Sequence, residues 1–203
     1  EAVASTTAAA REGHTAVKIT PFPPDFARLS HARLIKEAVD RTAAVREAVG
    51  PDVDILVEVH RRLAPMHAVR IARLMEPFDP FWYEEPVSAR DLDGLVEAKR
   101  GIRLPVVTGE ELYTKTEFRE VFEKRAADII NPHVCNCGGI LELREIAAMA
   151  ESYHIAVSPH NYNSTTLGLA STLHASAAMP NFLITEYFVN FESFGKKIAR
   201  EPF

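Results

Sequence analysis

Apolar residues along this chain follow two alternating patterns. Short runs rich in β-branched and aromatic residues predict strands at His14–Thr20, Ile55–Val59, Phe81–Glu84, Val106–Gly109, Asp128–Asn131, Ile155–Ser158 and Phe182–Glu186. The intervals between them carry apolar residues three and four apart, which predicts helices over His31–Val49, Pro65–Met75, Asp91–Arg100, Lys115–Lys124, Ile140–Ser152 and Thr166–Ala178. On the first of these, Leu34, Ile35, Ala38, Val39, Thr42 and Val45 form the core-facing stripe. Gly50-Pro51 then ends it, and Asp91 is placed to cap the start of another helix.

Strands separated by helices imply parallel pairing, in a barrel or an open α/β sheet. Seven strands are one short of a closed barrel, and 203 residues are fewer than the ~250 of a complete one. No linker or charge block divides the chain, so 1–203 reads as a single, partial barrel domain. The chain begins without Met, in an alanine-rich stretch, Glu1–Arg11, that reads as a helix already under way. The expectation is that an N-terminal part with at least one strand is absent, and that the strands present are the second to the eighth.

Composition adds exclusions. Apolar residues at 47% and charged residues at 25% are ordinary for a globular chain. A net charge of −5 without a basic patch argues against nucleic acid or an anionic membrane as partner. No apolar run approaches the ~20 residues of a membrane span. Cys135 and Cys137 are too close for a routine disulfide and lack the second pair of a zinc site. They read as reduced thiols in a loop, which favours the cytoplasm.

Three acids change the picture. Glu58, Glu84 and Glu110 each close a buried-strand run, and successive members are 26 residues apart. That is one β-helix-β step. Acids at the same ends of three consecutive parallel strands converge, and a cation is what would hold them together. Oxygen ligands of this hardness suit Mg²⁺.

Several short pieces, in order, carry a resemblance. They are Val17-Lys-Ile-Thr-Pro21, Val57-Glu-Val-His60, Trp82-Tyr-Glu-Glu-Pro86, Thr108-Gly-Glu110, Asp128-Ile-Ile-Asn-Pro-His133 with Gly138-Gly139, Val157-Ser-Pro-His160 and Ile184-Thr-Glu186. From about His14 to Phe203 the chain resembles the enolase superfamily. It is most similar to the mandelate racemase-like branch that includes sugar-acid dehydratases of the galactonate type.

The resemblance implies a TIM-type (β/α) barrel with Mg²⁺ on Glu58, Glu84 and Glu110, and an N-terminal α+β capping domain that is missing here. It implies His160 as the base that takes the proton next to a substrate carboxylate. His60, two residues after Glu58 and so on the same strand face, would protonate the departing hydroxyl. Glu186 would hydrogen-bond the substrate carboxylate. A metal-stabilised enediolate and loss of the β-hydroxyl give a 2-keto-3-deoxy acid, a hydro-lyase reaction.

Two positions depart from the family pattern. Where many relatives carry an aspartate beside the base, this chain has His133, which either orients His160 through a neutral hydrogen bond or leaves the dyad broken. Lys18-Ile19-Thr20 lacks the second lysine of the racemases, which favours dehydration. Lys18 faces either the substrate or the metal carboxylates, or it forms a structural ion pair. The expected reading is a Mg²⁺-dependent sugar-acid dehydratase. An epimerase or cycloisomerase on a similar acid or lactone is the alternative, and a non-catalytic or truncated metal-binding barrel is the alternative of another class. The expected partners are a small sugar acid and further copies of the chain.

Overall fold

The computed structural model describes residues 2–201. The chain divides into two compact units between Val106 and Val107.

The first unit runs α1 (Ala2–Arg11), β1 (Ala16–Ile19), α2 (His31–Val49), β2 (Asp54–Glu58), α3 (Pro65–Met75), β3 (Trp82–Glu84) and α4 (Leu92–Gly101). Its strands pair in parallel, β1 with β2 and β2 with β3, each through the helix between them. Tyr83 N–H donates to Pro105 O at 2.8 Å, continuing the ladder toward the next strand. α1 packs on α2, α2 on α3 and α3 on α4.

Local chemistry sets these boundaries. Ser30 caps α2 by accepting from Arg33 N–H, and Asp91 caps α4 by accepting from Gly94 N–H. Leu34, Ile35, Ala38, Thr42 and Val45 of the expected stripe are buried, and Val39 at its margin is half-buried. Arg46 clamps the end of α2. Its guanidinium donates to the carbonyls of Gly50, Val53, Phe78 and Asp79 at 2.7–3.0 Å. This fixes where β2 begins, and therefore where Glu58 falls.

The second unit holds β4 (Val106–Thr108, whose first residue closes the first unit), α5 (Lys115–Glu123), β5 (Ile129–Ile130), α6 (Val134–Cys137), α7 (Ile140–Ser152), β6 (Ala156–Val157), α8 (Thr166–Ser176) and α9 (Glu192–Ile198). β4 pairs with β5 and β5 with β6, again parallel. α5 packs on α7, α7 on α8 and α8 on α9. Residues of β2, β3, β4 and β5 are buried in continuous runs, as in parallel strands covered on both faces. Among the described residues no helix is long and apolar enough to cross a membrane.

Two expectations are corrected. Phe182–Glu186 is not a strand. It runs parallel beside β6, with Val157 N–H donating to Asn181 O and Leu183 N–H to Val157 O, and then the regular ladder breaks, leaving one long bond from Glu186 N–H to Pro159 O at 3.3 Å. The next donor would come from Pro159, which has no N–H. Side chains add to it, with Ser158 Oγ–H donating to Ile184 O and Thr185 Oγ1–H to Pro159 O. The two cysteines lie on the single turn of α6 rather than in a loop. Both are free thiols, Cys135 exposed and Cys137 buried. Burial pushes the Cys137 thiol up to about 11.

Candidate active site

In the first unit, the ends of β1, β2 and β3 gather charge. Glu58 and Glu84 are cross-strand partners, each 1% exposed. Lys18 Nζ lies 3.0 Å from Glu84 Oε1 and 3.7 Å from Glu58 Oε2. Trp82 lies two residues before Glu84, so its ring sits on the same face, and Nε1–H donates to Glu84 Oε2 at 3.0 Å. Lys18 thus faces the two carboxylates expected to bind the metal and forms an ion pair with them, a placement that fits both of its readings.

His60 does not continue the alternation of β2. The strand ends at Glu58, and His60 and Arg61 turn into left-handed conformations with φ of 56° and 62°. The neighbouring backbone holds this turn. Val59 N–H donates to Glu84 O, and Arg61 N–H donates to Glu85 O at 2.7 Å. His60 meets Glu58 through its main chain, N–H to Oε1 at 2.6 Å, while its ring Nδ1 stays 4.0 Å away. The imidazole is 38% exposed, open to a ligand rather than packed in the strand.

In the second unit, Glu110, His133, His160 and Glu186 come together. Glu110 follows Gly109, whose φ of +139° turns the chain at the end of β4. Glu110 N–H donates to Asn131 Oδ1 at 3.1 Å, which ties the acid to the end of β5. His133 and His160 are paired by a parallel bridge beyond β5 and β6, and their Nδ1 atoms are 2.7 Å apart. His160 Nε2 lies 2.8 Å from Glu110 Oε2 and 3.4 Å from Glu186 Oε2. Glu186 is steadied by Asn161 N–H at 3.0 Å. His133 Nε2 is 3.2 Å from Ser164 Oγ. Burial, with repulsion from His160, pushes the His133 imidazole down to about 4, although Glu186 and Glu110 pull it upward.

Three contacts lay outside the sequence reading. Glu85 is fully buried and pairs with Arg61 at 3.1 Å. Trp82 donates to Glu84, which the two-residue spacing could have indicated. Ser164 touches His133 from the loop before α8, and nothing local in the sequence announces that. The Arg62 guanidinium lies over the Phe26 ring, 5.3 Å from its centre.

A family model described as enolase C-terminal domain-like matches residues 1–203. The chain belongs to that family. Its α/β fold of the TIM-barrel class is the one the sequence motifs implied. This enolase C-terminal domain-like chain is 34% identical to the D-gluconate/D-galactonate dehydratase of Picrophilus torridus, over 88% of its length and 45% of that protein's. It is 34% identical to the D-gluconate dehydratase of Thermoproteus tenax, over 94% of its length and 38% of that protein's. The chain thus spans less than half the length of these relatives. Among solved structures, it matches a mandelate racemase/muconate lactonizing enzyme-like protein of Rubrobacter xylanophilus with a TM-score of 0.86 and 38% identity. That match covers 95% of this chain and 51% of the other.

Proposed function

We propose that this chain supplies the reaction centre of a Mg²⁺-dependent sugar-acid dehydratase. The observation that carries the reading is the in-register pair of buried carboxylates, Glu58 and Glu84, at the ends of adjacent parallel strands. Two buried carboxylates held in register at adjacent strand ends present their oxygens side by side, with the Lys18 ammonium in reach of both. Their hard oxygen donors fit Mg²⁺. By the family resemblance, Glu58, Glu84 and Glu110 would hold the ion. Bound there, Mg²⁺ would stabilise negative charge as it develops on a substrate carboxylate.

The chain's own groups move the protons. His160 starts neutral, and one ring nitrogen takes the proton from the carbon next to the substrate carboxylate. His60 starts protonated and gives its proton to the hydroxyl on the following carbon. The C–O bond breaks, water leaves, and the resulting enol becomes a 2-keto-3-deoxy acid. Atoms balance and no redox partner is needed. Glu186, held by Asn161, is placed to bind the substrate carboxylate, for which it must itself carry a proton. His133 stays neutral and supports His160.

The names of the relatives support dehydration of a sugar acid and leave the sugar open. Alongside gluconate and galactonate they include a D-xylonate dehydratase of Haloferax volcanii, 35% identical over 75% of this chain. The test is incubation of the protein with a panel of aldonates and Mg²⁺, followed by assay for 2-keto acid. Formation of a 2-keto-3-deoxy acid that stops with EDTA is expected. A product that keeps all its oxygens would replace dehydration by isomerisation.

A further inference from the structure

We propose that the cavity beside His160 and Glu186 receives the hydroxylated tail of the sugar acid, and that the Asn161 side chain reads one of its hydroxyl groups. This rests on the reading of His160 as the base and Glu186 as the holder of the substrate carboxylate.

The observation is an orphaned atom. Asn161 is 3% exposed, and its Oδ1 is buried with no hydrogen-bond partner among the described residues. Buried polar atoms are almost always paired, because an unpaired one loses its hydration and gains nothing in return. A loop asparagine usually accepts from a backbone N–H in its own turn, and Asn161 Oδ1 does not. The hold of Asn161 on the site is made by its main chain, whose N–H donates to Glu186 Oε2 at 3.0 Å. That bond does not use the side chain. The residue lines a cavity of about 360 Å³ within the second unit, together with Ser164, Thr165, Leu169, Phe188 and Phe191.

The position of this cavity follows from the chain. Asn161 comes directly after His160, and Tyr187, which also lines the cavity, comes directly after Glu186. Consecutive Cα atoms are about 3.8 Å apart, so the cavity wall begins one residue beyond both groups. His160 Nε2 and Glu186 Oε2 are themselves 3.4 Å apart. An acid with its carboxylate on Glu186 and its α-carbon at His160 therefore has this cavity beside its remaining carbons.

The lining suits a polyol. Asn161 Oδ1 needs a donor, and a hydroxyl is one. A hydroxyl can also accept from Asn161 Nδ2, so it serves whichever way the amide is turned. Ser164 and Thr165 add hydroxyls that both donate and accept, while Leu169, Phe188 and Phe191 offer apolar surface to the C–H groups of the carbon chain. A few placed polar groups on an apolar wall is the usual make-up of a small-molecule site.

The experiment follows the side-chain amide signals of Asn161 in ¹H–¹⁵N spectra, assigned from its backbone so that no variant is needed. D-gluconate and D-galactonate, added with Mg²⁺, should shift them. D-glycerate has the same carboxylate, α-carbon and β-hydroxyl but no tail, and should leave them in place. Signals that stay put with all three acids, or that respond equally to D-glycerate, would overturn the proposal. Calorimetry is the second arm. Asn161→Ala keeps the main-chain N–H on Glu186 and should weaken binding of the two sugar acids about tenfold, the order of one lost hydrogen bond. D-glycerate should not distinguish the two proteins. Unchanged affinity for the sugar acids would overturn the proposal, as would an equal loss for D-glycerate. Shifts and affinity loss as expected, with no 2-keto acid formed, would keep the subsite and count against the dehydratase reading. Keto acid formed by Asn161→Ala with unchanged kcat and KM would keep that reading and overturn the subsite.

Discussion

Glu58 and Glu84 face one another across adjacent parallel strands, and the Lys18 ammonium reaches both. Two buried carboxylates at paired strand positions repel one another unless cations intervene. Lys18 supplies one charge, bonded to Glu84 from one side while Trp82 holds the other oxygen. Both Glu84 oxygens are therefore held in place by neighbouring side chains, and rigid placement of this kind is what a metal site needs.

Glu84→Gln should weaken Mg²⁺ binding strongly, since an anionic ligand becomes a neutral amide. The geometry adds a reason. An amide NH₂ turned toward Lys18 would set two donors against each other, and one turned toward Trp82 would do the same. Titration calorimetry measures it, and an unchanged Mg²⁺ affinity would remove Glu84 from the site.

The strand-end acids were legible because each follows a buried run, and burial of a strand is written in consecutive β-branched and aromatic residues. Helix limits were legible for similar local reasons, such as Asp91 as a cap and Gly50-Pro51 past a helix end. What failed were features decided by backbone turns. His60 lies beyond the end of β2, so counting in twos placed it on a strand that had already stopped. Phe182–Glu186 has a strand composition, but its ladder depends on Pro159, a distant residue without an N–H. Ser164 and Glu85 acquire their partners from chain turns, and those contacts have no sequence period.

Gly109→Ala should destabilise the protein by about 2–4 kcal/mol, combining a strained positive φ with overpacking. At φ of +139° an added Cβ would come 2.7 Å from Phe118 Cε1 and 3.2 Å from Asn131 N. The same shift would disturb Glu110, whose N–H is bonded to Asn131. Urea denaturation should report the stability loss, with weaker Mg²⁺ binding alongside it. A loss below ~1 kcal/mol would mean that Phe118 moves aside at little cost.

His133 should make stability fall with acid. Burial, then repulsion from His160, brings its imidazole down to about 4 from an ordinary value of 6.5. Above the unfolded value both states are neutral and this residue favours neither. As pH falls below it, the unfolded chain takes up a proton that the folded chain refuses, so stability declines until pH reaches about 4. The urea midpoint of the unchanged protein should thus drop more steeply between pH 7 and pH 4 than that of His133→Gln. Parallel slopes would show that His133 is not held neutral.

The two histidines assigned to proton transfer can be separated. His160 lies against two carboxylates with little exposure, whereas His60 is more open and meets Glu58 through its backbone. If His160 takes the α-proton, His160→Asn should abolish both turnover and exchange of that proton with D₂O. If His60 only helps the hydroxyl leave, His60→Asn should block dehydration while exchange continues. Each loss should be ~10²–10⁴-fold, the usual contribution of a general acid or base. Because the Glu58 contact of His60 is made by its main-chain N–H, His60→Asn keeps that bond. NMR of a sugar acid in D₂O measures both effects in one sample. Exchange that survives in His160→Asn but stops in His60→Asn would reverse the two roles.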